Sequence, residues 1–126
     1  MLELLQLPFP HVVGVRVSGK INHTDIDLIL QEVEHKLLEE DNLNIFIELD
    51  HFEGFTARGW LKEMRFLAKY INRFTRTAIL GEPRWFNRGS TFITRIFPNI
   101  EIEHFIPLQR DEALIWVSER DVATFG

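Results

Sequence analysis

Residues 12–50, VVGVRVSGKINHTDIDLILQEVEHKLLEEDNLNIFIELD, change their apolar period twice. Val13, Val15 and Val17 alternate with Gly14, Arg16 and Ser18, the period of a strand with one covered face. Over residues 24–40 the apolar positions move to helical spacing, with Ile26, Ile29, Leu30, Val33 and Leu37 on one side and Asn22 or Thr24 placed to cap the start. Period two returns at residues 44–50, where Ile45, Ile47 and Leu49 alternate with Phe46, Glu48 and Asp50. Strand, helix and strand in that order predict a parallel β-α-β unit with a right-handed crossover.

Working outward, the same signals continue to both ends. Residues 2–7 read as an initial strand, separated from the next by Pro8 and Pro10, which cannot donate ladder bonds. A second helix begins near Thr56 and runs to residue 72; a strand follows at 75–80 and stops at Gly81. Pro83, a favoured first-turn residue, opens a third helix that ends before Pro98. Residues 100–105 form the fifth strand, and 111–119 a last helix burying Ala113, Leu114, Trp116 and Val117. The expected fold is α/β, one domain over residues 1–126, with a mixed, mostly parallel five-stranded sheet and four helices packed mainly on one side. Because the strands alternate and are not continuously apolar, a half-open sheet face is expected to carry Arg16, Glu48, Glu101 and Glu103.

A chain of 126 residues with 45% apolar content is one domain's worth and can bury a core. It has no apolar run near the ~20 residues of a membrane span, and its start lacks the pattern of a signal peptide, so a cytoplasmic location is expected. Zero cysteines exclude disulfides, thiolate metal sites and a cysteine nucleophile. The net charge of -5 argues against general nucleic-acid binding. That average hides a basic island: nine of the fourteen Lys and Arg residues fall between Arg58 and Arg95, beside only two acids, Glu63 and Glu82.

The island is ordered at helical spacing. Arg58, Lys62, Arg65, Lys69 and Arg73 share a sector of about 60–80°, opposite Trp60, Leu61, Met64, Leu67, Ala68 and Ile71. Arg84, Arg88 and Arg95 repeat the pattern on the third helix against Phe86, Ile93, Ile96 and Phe97. Solvated faces usually mix signs, and these neighbours repel one another mildly. Trp60, Phe66, Tyr70, Phe74, Trp85, Phe86, Phe92 and Phe97 crowd the same region. Rings enclosed by two helices and rimmed by cations suit an apolar tail with an anionic head.

Other chemistry is less well supported. Glu48, Asp50, His51 and Glu53 lie where an open α/β sheet gathers ligands, but no second histidine falls at a ligand spacing, and Arg16 can pair with Glu48 across the strands. The remaining histidines are scattered, Ser18, Ser90 and Ser118 lie outside any nucleophile-elbow context, and the glycines never make a phosphate-loop spacing.

Three strings, VVGVRVSGK at residues 13–20 with its preceding valine, ELDHFEGF at 48–55 and AILGEPRW at 78–85, resemble the bacterial SpoIIAA-like family of small STAS-type proteins. The order β-β-α-β-α-β-α-β-α fits that family, and the resemblance covers nearly the whole chain. It implies a STAS fold, no established enzymatic activity and a relation to lipid-carrying CRAL-TRIO domains. Antagonists of anti-sigma factors carry a phosphorylatable serine at the start of the second helix. Here the turn reads Gly54-Phe55-Thr56-Ala57-Arg58-Gly59, and Thr56 is read as a helix cap.

The leading expectation is a non-enzymatic STAS-like protein, without a cofactor or metal, that binds a small hydrophobic or anionic amphipathic ligand between helices 2 and 3. The candidate ligand-binding residues are Arg58, Trp60, Lys62, Met64, Leu67, Arg84, Trp85, Arg88 and Phe92. The alternative is a protein-interaction or regulatory module that docks an acidic protein partner or another copy of itself, and a homodimer is expected. A third reading is a hydrolase or lyase at the 50–53 loop.

Overall fold

Each change of apolar period becomes an element in the computed structural model, which describes residues 1–86 and 100–119. The elements are β1 (Leu2–Leu5), β2 (Val12–Ile21), α1 (His23–Lys36), β3 (Leu43–Phe55), α2 (Ala57–Tyr70), β4 (Phe74–Leu80), the one-turn α3 (Pro83–Phe86), β5 (Glu101–Phe105) and α4 (Arg110–Ser118). Short 3-10 turns follow α2 and precede α4. The third helix expected up to Pro98 is seen only in its first turn, since residues 87–99 lie outside the described residues.

The strands lie in the order β1-β2-β3-β4-β5, with β1 antiparallel and the rest parallel. A parallel sheet that grows in one direction through right-handed crossovers must place its crossover helices on one face. α1 and α2 accordingly cover a core built from Val13, Val15, Val17, Ile45, Phe66 and Phe74. α4 comes after the last strand and packs on the opposite face, where Ala113 and Val117 meet Val12, Phe46, Ala78 and Leu80.

Two strands run further than their periodicity suggests. β2 passes Ser18 and β3 passes Asp50, because pairing continues across two register shifts, with Gly19 opposite Phe52, then Lys20 opposite Gly54 and Ile21 opposite Phe55. Gly19 (φ 60°) and Gly54 (φ 104°) supply the left-handed backbone that this irregularity needs. His51 adopts φ 53° in the same place, a conformation few non-glycine residues take. At the other end, α1 stops at Lys36 and not at residue 40. Arg73 donates to the Asp41 carbonyl at 2.7 Å, tying the end of the following turn to the start of β4.

One buried amide ties three elements together. Asn44 Nδ2 donates to the carbonyls of Val117 (2.8 Å) and Glu119 (3.1 Å) at the end of α4. Its Oδ1 accepts from the Thr75 hydroxyl (2.6 Å) and the Arg76 amide (3.0 Å) at the start of β4. Four bonds at 3% exposure satisfy the group completely, so its burial carries no net penalty. Asn44→Leu should destabilise the protein by about 2–4 kcal/mol, since it removes four hydrogen bonds and leaves the buried Val117 carbonyl without its partner. Urea denaturation of the two proteins measures this, and a loss below about 0.5 kcal/mol would contradict the bracing role.

Candidate functional site

The start of α2 is fastened to the end of β2. Thr56 Oγ1 accepts from the Gly59 amide at 3.0 Å, the N-cap bond expected of it. The Thr56 amide donates to the Ile21 carbonyl at 2.9 Å. A Cβ on residue 59 would stand 2.6 Å from that carbonyl, so glycine is what allows the helix to begin so close to the strand. Asn22, within the same crossing, caps α1 in a reciprocal box with Asp25: Asn22 Oδ1 accepts from the Asp25 amide, and Asp25 Oδ2 accepts from the Asn22 amide. The two helices thus leave the sheet side by side.

Their facing sides carry opposite charge. Lys62 Nζ meets Asp27 Oδ1 at 2.5 Å across the gap. Around this bridge runs a groove of about 370 Å³ lined by His23, Ile26 and Leu30 of α1 and by Arg58, Leu61, Lys62, Arg65, Phe66 and Lys69 of α2. Arg58 and Arg65 have no ion-pair partner among the described residues, and Leu61 is 53% exposed at the rim. The groove is therefore cationic at its edges and apolar at its base.

Beneath it lies a smaller cavity of about 90 Å³ between the two helices and the sheet. Val15, Ile45, Ile47, Phe74, Thr77, Ile79, Ile100 and Ile102 form its floor, and Ile26, Ile29, Phe66 and Glu63 its roof. Ile26 and Phe66 belong to both spaces, so the base of the groove is also the roof of the cavity. Glu63 is the one ionisable side chain in this lining among the described residues. Burial pushes its carboxyl up to about 7. The residue is partly exposed and yet desolvated, as expected of a group whose free surface opens on a cavity and not on bulk water.

The expected site residues separate. Arg58 and Lys62 line the groove, opposite α1. Trp60 stands 5.7 Å from Phe55 in a chain of rings that continues to Phe52, and Met64 packs against the large core, so neither lines the groove. Arg84 is bound to Glu82 at 2.8 Å. Leu67 lies in α2 and Trp85 in α3, whereas Arg88 and Phe92 lie outside the described residues. Of the other island cations, Arg73 holds the turn after α1 and Arg76 bridges Glu101 (3.2 Å) and Glu119 (3.0 Å).

On the other sheet face Glu48 is held between Arg16 (2.8 Å) and Arg110 (2.6 Å), with Glu3 extending the row from Arg16 at 3.1 Å. The cross-strand pair of Arg16 and Glu48 is the expected one; Arg110 is an addition from α4. Asp50, His51 and Glu53 do not gather round it, and no three metal-binding groups converge among the described residues. His11, which the sequence left in a turn, is buried, and its Nε2 donates to the Ser118 carbonyl at 2.7 Å.

Sequence reasoning passed over Glu63, counting it only as an acid inside a basic stretch. The signal was present: on a helical wheel it lies about 40° from Leu67 and 60° from Phe66, on the margin of the apolar sector.

The layered arrangement of a one-directional parallel sheet, an antiparallel first strand and a returning last helix is that of a STAS-type α/β domain. The SpoIIAA-like family model matches residues 12–118, and the chain belongs to that family. A crystal structure of an uncharacterised protein of the DUF3478 family with a SpoIIAA-like fold, from Shewanella loihica PV-4, superposes with a TM-score of 0.72. It is 17% identical, over 93% of this chain and 92% of that one, a likeness of fold. No curated protein matches the sequence.

A carboxyl raised from the usual 4.5 to about 7 has a signed effect on stability. Between those values the folded chain holds a proton that the unfolded chain has lost, so this contribution is full below pH 4.5 and is lost as pH rises through 7. Glu63→Gln keeps the shape and cannot ionise. It should be more stable than wild type at pH 8 by about 2–3 kcal/mol, with the gap closing towards pH 4.5. Urea denaturation of both proteins from pH 4.5 to 8 tests this, and parallel stability curves would contradict it.

Proposed function

We propose that the protein is a non-enzymatic binder of a small anionic amphiphile, with the apolar end seated in the cavity and the head among Arg58, Lys62 and Arg65. The observation that supports this most is the shared boundary of the two spaces at Ile26 and Phe66. A cationic groove alone would suit any anion, and an apolar cavity alone would suit a packing defect. Together they make an address with one polar end and one apolar end, which is the shape of a fatty acid or a related lipid. The groove falls within the usual range of small-molecule sites, roughly 300–1,000 Å³. The cavity is smaller than the ~150 Å³ apolar void that admits benzene, so it takes the tip of a chain.

This reading moves one wall of the expected cleft. Helix 3 was to face helix 2 with Arg84, Trp85, Arg88 and Phe92; in the described residues α1 faces α2. A second reading, self-association or docking of an acidic partner, is favoured by Leu108 and Ile115, which are 94% and 64% exposed beside α4. The charge complementarity between acidic helix 1 and basic helix 2 supports it less, because Asp27 and Lys62 satisfy part of it within one chain.

Saturated fatty acids of increasing chain length should raise the melting temperature by mass action, equivalent to about 2.7 kcal/mol at a free concentration about 100-fold above Kd. Arg58→Glu combined with Arg65→Glu should remove most of that gain, while Glu32→Gln, away from the groove, should leave it intact. If no chain length shifts the melting point and sedimentation instead shows salt-sensitive dimers, the interaction reading replaces this one.

A further inference from the structure

The cavity holds a group that an apolar guest cannot tolerate in its charged form. Among the described residues its lining contains no cation, and Thr77 is the only polar side chain besides Glu63. An ionised carboxylate there depends on water, and the cavity has room for a few molecules. A chain end entering the same space displaces that water and leaves the carboxylate facing hydrocarbon, at a far greater cost than a neutral carboxyl incurs. Guest and negative charge therefore exclude each other.

We infer that Glu63 is a proton-operated gate: the cavity accepts an apolar chain when the side chain is neutral and rejects it when the side chain is ionised. This rests on the reading of groove and cavity as one ligand site and adds its regulation. Burial already sets the carboxyl to titrate near 7, so modest pH changes move the gate. The elements packed against Glu63 leave it in control. Among the described residues that line the cavity with it, Ile26 and Ile29 come from α1 and Val15, Ile45 and Thr77 from the sheet, with no titratable group among them. The α2 cations Lys62, Arg65 and Lys69 border the groove and not the cavity. His104 lies two residues beyond Ile102, outside the lining, and burial pushes it below the ordinary imidazole value, partly offset by Glu103. By linkage, occupation of the cavity must in turn draw a proton onto Glu63.

Decyl sulfonate is a suitable probe, because its head stays ionised throughout the titration and any pH dependence comes from the protein. Calorimetric affinities are measured from pH 5.5 to 8.5 for wild type, Glu63→Gln, His23→Gln and His104→Gln. His23 is included as a control because it borders the groove beside the proposed head-group site. For wild type the affinity should be level at the acid end and fall, above pH 7, by up to about tenfold per pH unit. Glu63→Gln should bind with no such fall, and both histidine variants should follow wild type. If all four proteins bind at pH 6 and Glu63→Gln retains the wild-type pH profile, the gate is overturned and the ligand site stands. If none binds at pH 6, both the site and the gate are overturned.

Discussion

Handedness is the constraint on which the rest of this structure depends. Three parallel strands added in one direction, β2, β3 and β4, joined through α1 and α2 with the right hand that such units adopt, leave the two helices no choice but to lie next to each other on one face. The caps at Asn22 and Thr56 then fix where each helix leaves the sheet, and Gly59 lets α2 start against the end of β2. An acidic helix and a basic helix are brought face to face by topology, with one bridge between Asp27 and Lys62. The groove and the cavity are consequences of that pairing.

Two electrostatic effects compete at Glu63. It sits between Lys62 and Arg65 in a basic stretch, and neighbouring cations would lower a carboxyl if they shared its environment. They do not: the cations line the solvent-facing groove, while Glu63 lines the space below. Across water two charges 4 Å apart gain only about 1 kcal/mol, so cations that remain in solvent cannot offset the burial of a carboxylate. Burial wins, which is why an acid within a cluster of bases behaves as an isolated group in hydrocarbon. Glu48 differs in geometry: two arginines contact it directly, from β2 and from α4.

The parts legible in the sequence were those set by local periodicity and local chemistry. All five strands, the starts of α1 and α2, the cap at Thr56 and the pair of Arg16 with Glu48 follow from spacing, cap preference and strand alternation. What was misread depends on partners distant in the chain. β2 and β3 run on because two glycines absorb two register shifts. Asn44 looks like an ordinary strand edge until α4 returns to it. The described wall of the groove facing α2 comes from α1, while most of the expected third helix lies outside the described residues; charge clustering in a sequence says which residues lie together on one helix but not which helix lies opposite. The same reason hid Glu63, whose position on a helical margin becomes a buried position only when α1 and the sheet close around it.

The central claim is that groove and cavity form one ligand site, and isoleucine methyl groups can report on it directly. Ile26, Ile29, Ile45, Ile47, Ile79, Ile100 and Ile102 line the cavity, while Ile106 and Ile115 are exposed elsewhere. In a protein labelled at isoleucine δ1 methyls, titration with a fatty acid at pH 6 should shift the first group in a saturable manner and leave Ile106 and Ile115 in place. Saturable shifts confined to Ile106 and Ile115, with the cavity methyls unmoved, would contradict the claim and place the binding surface beside α4.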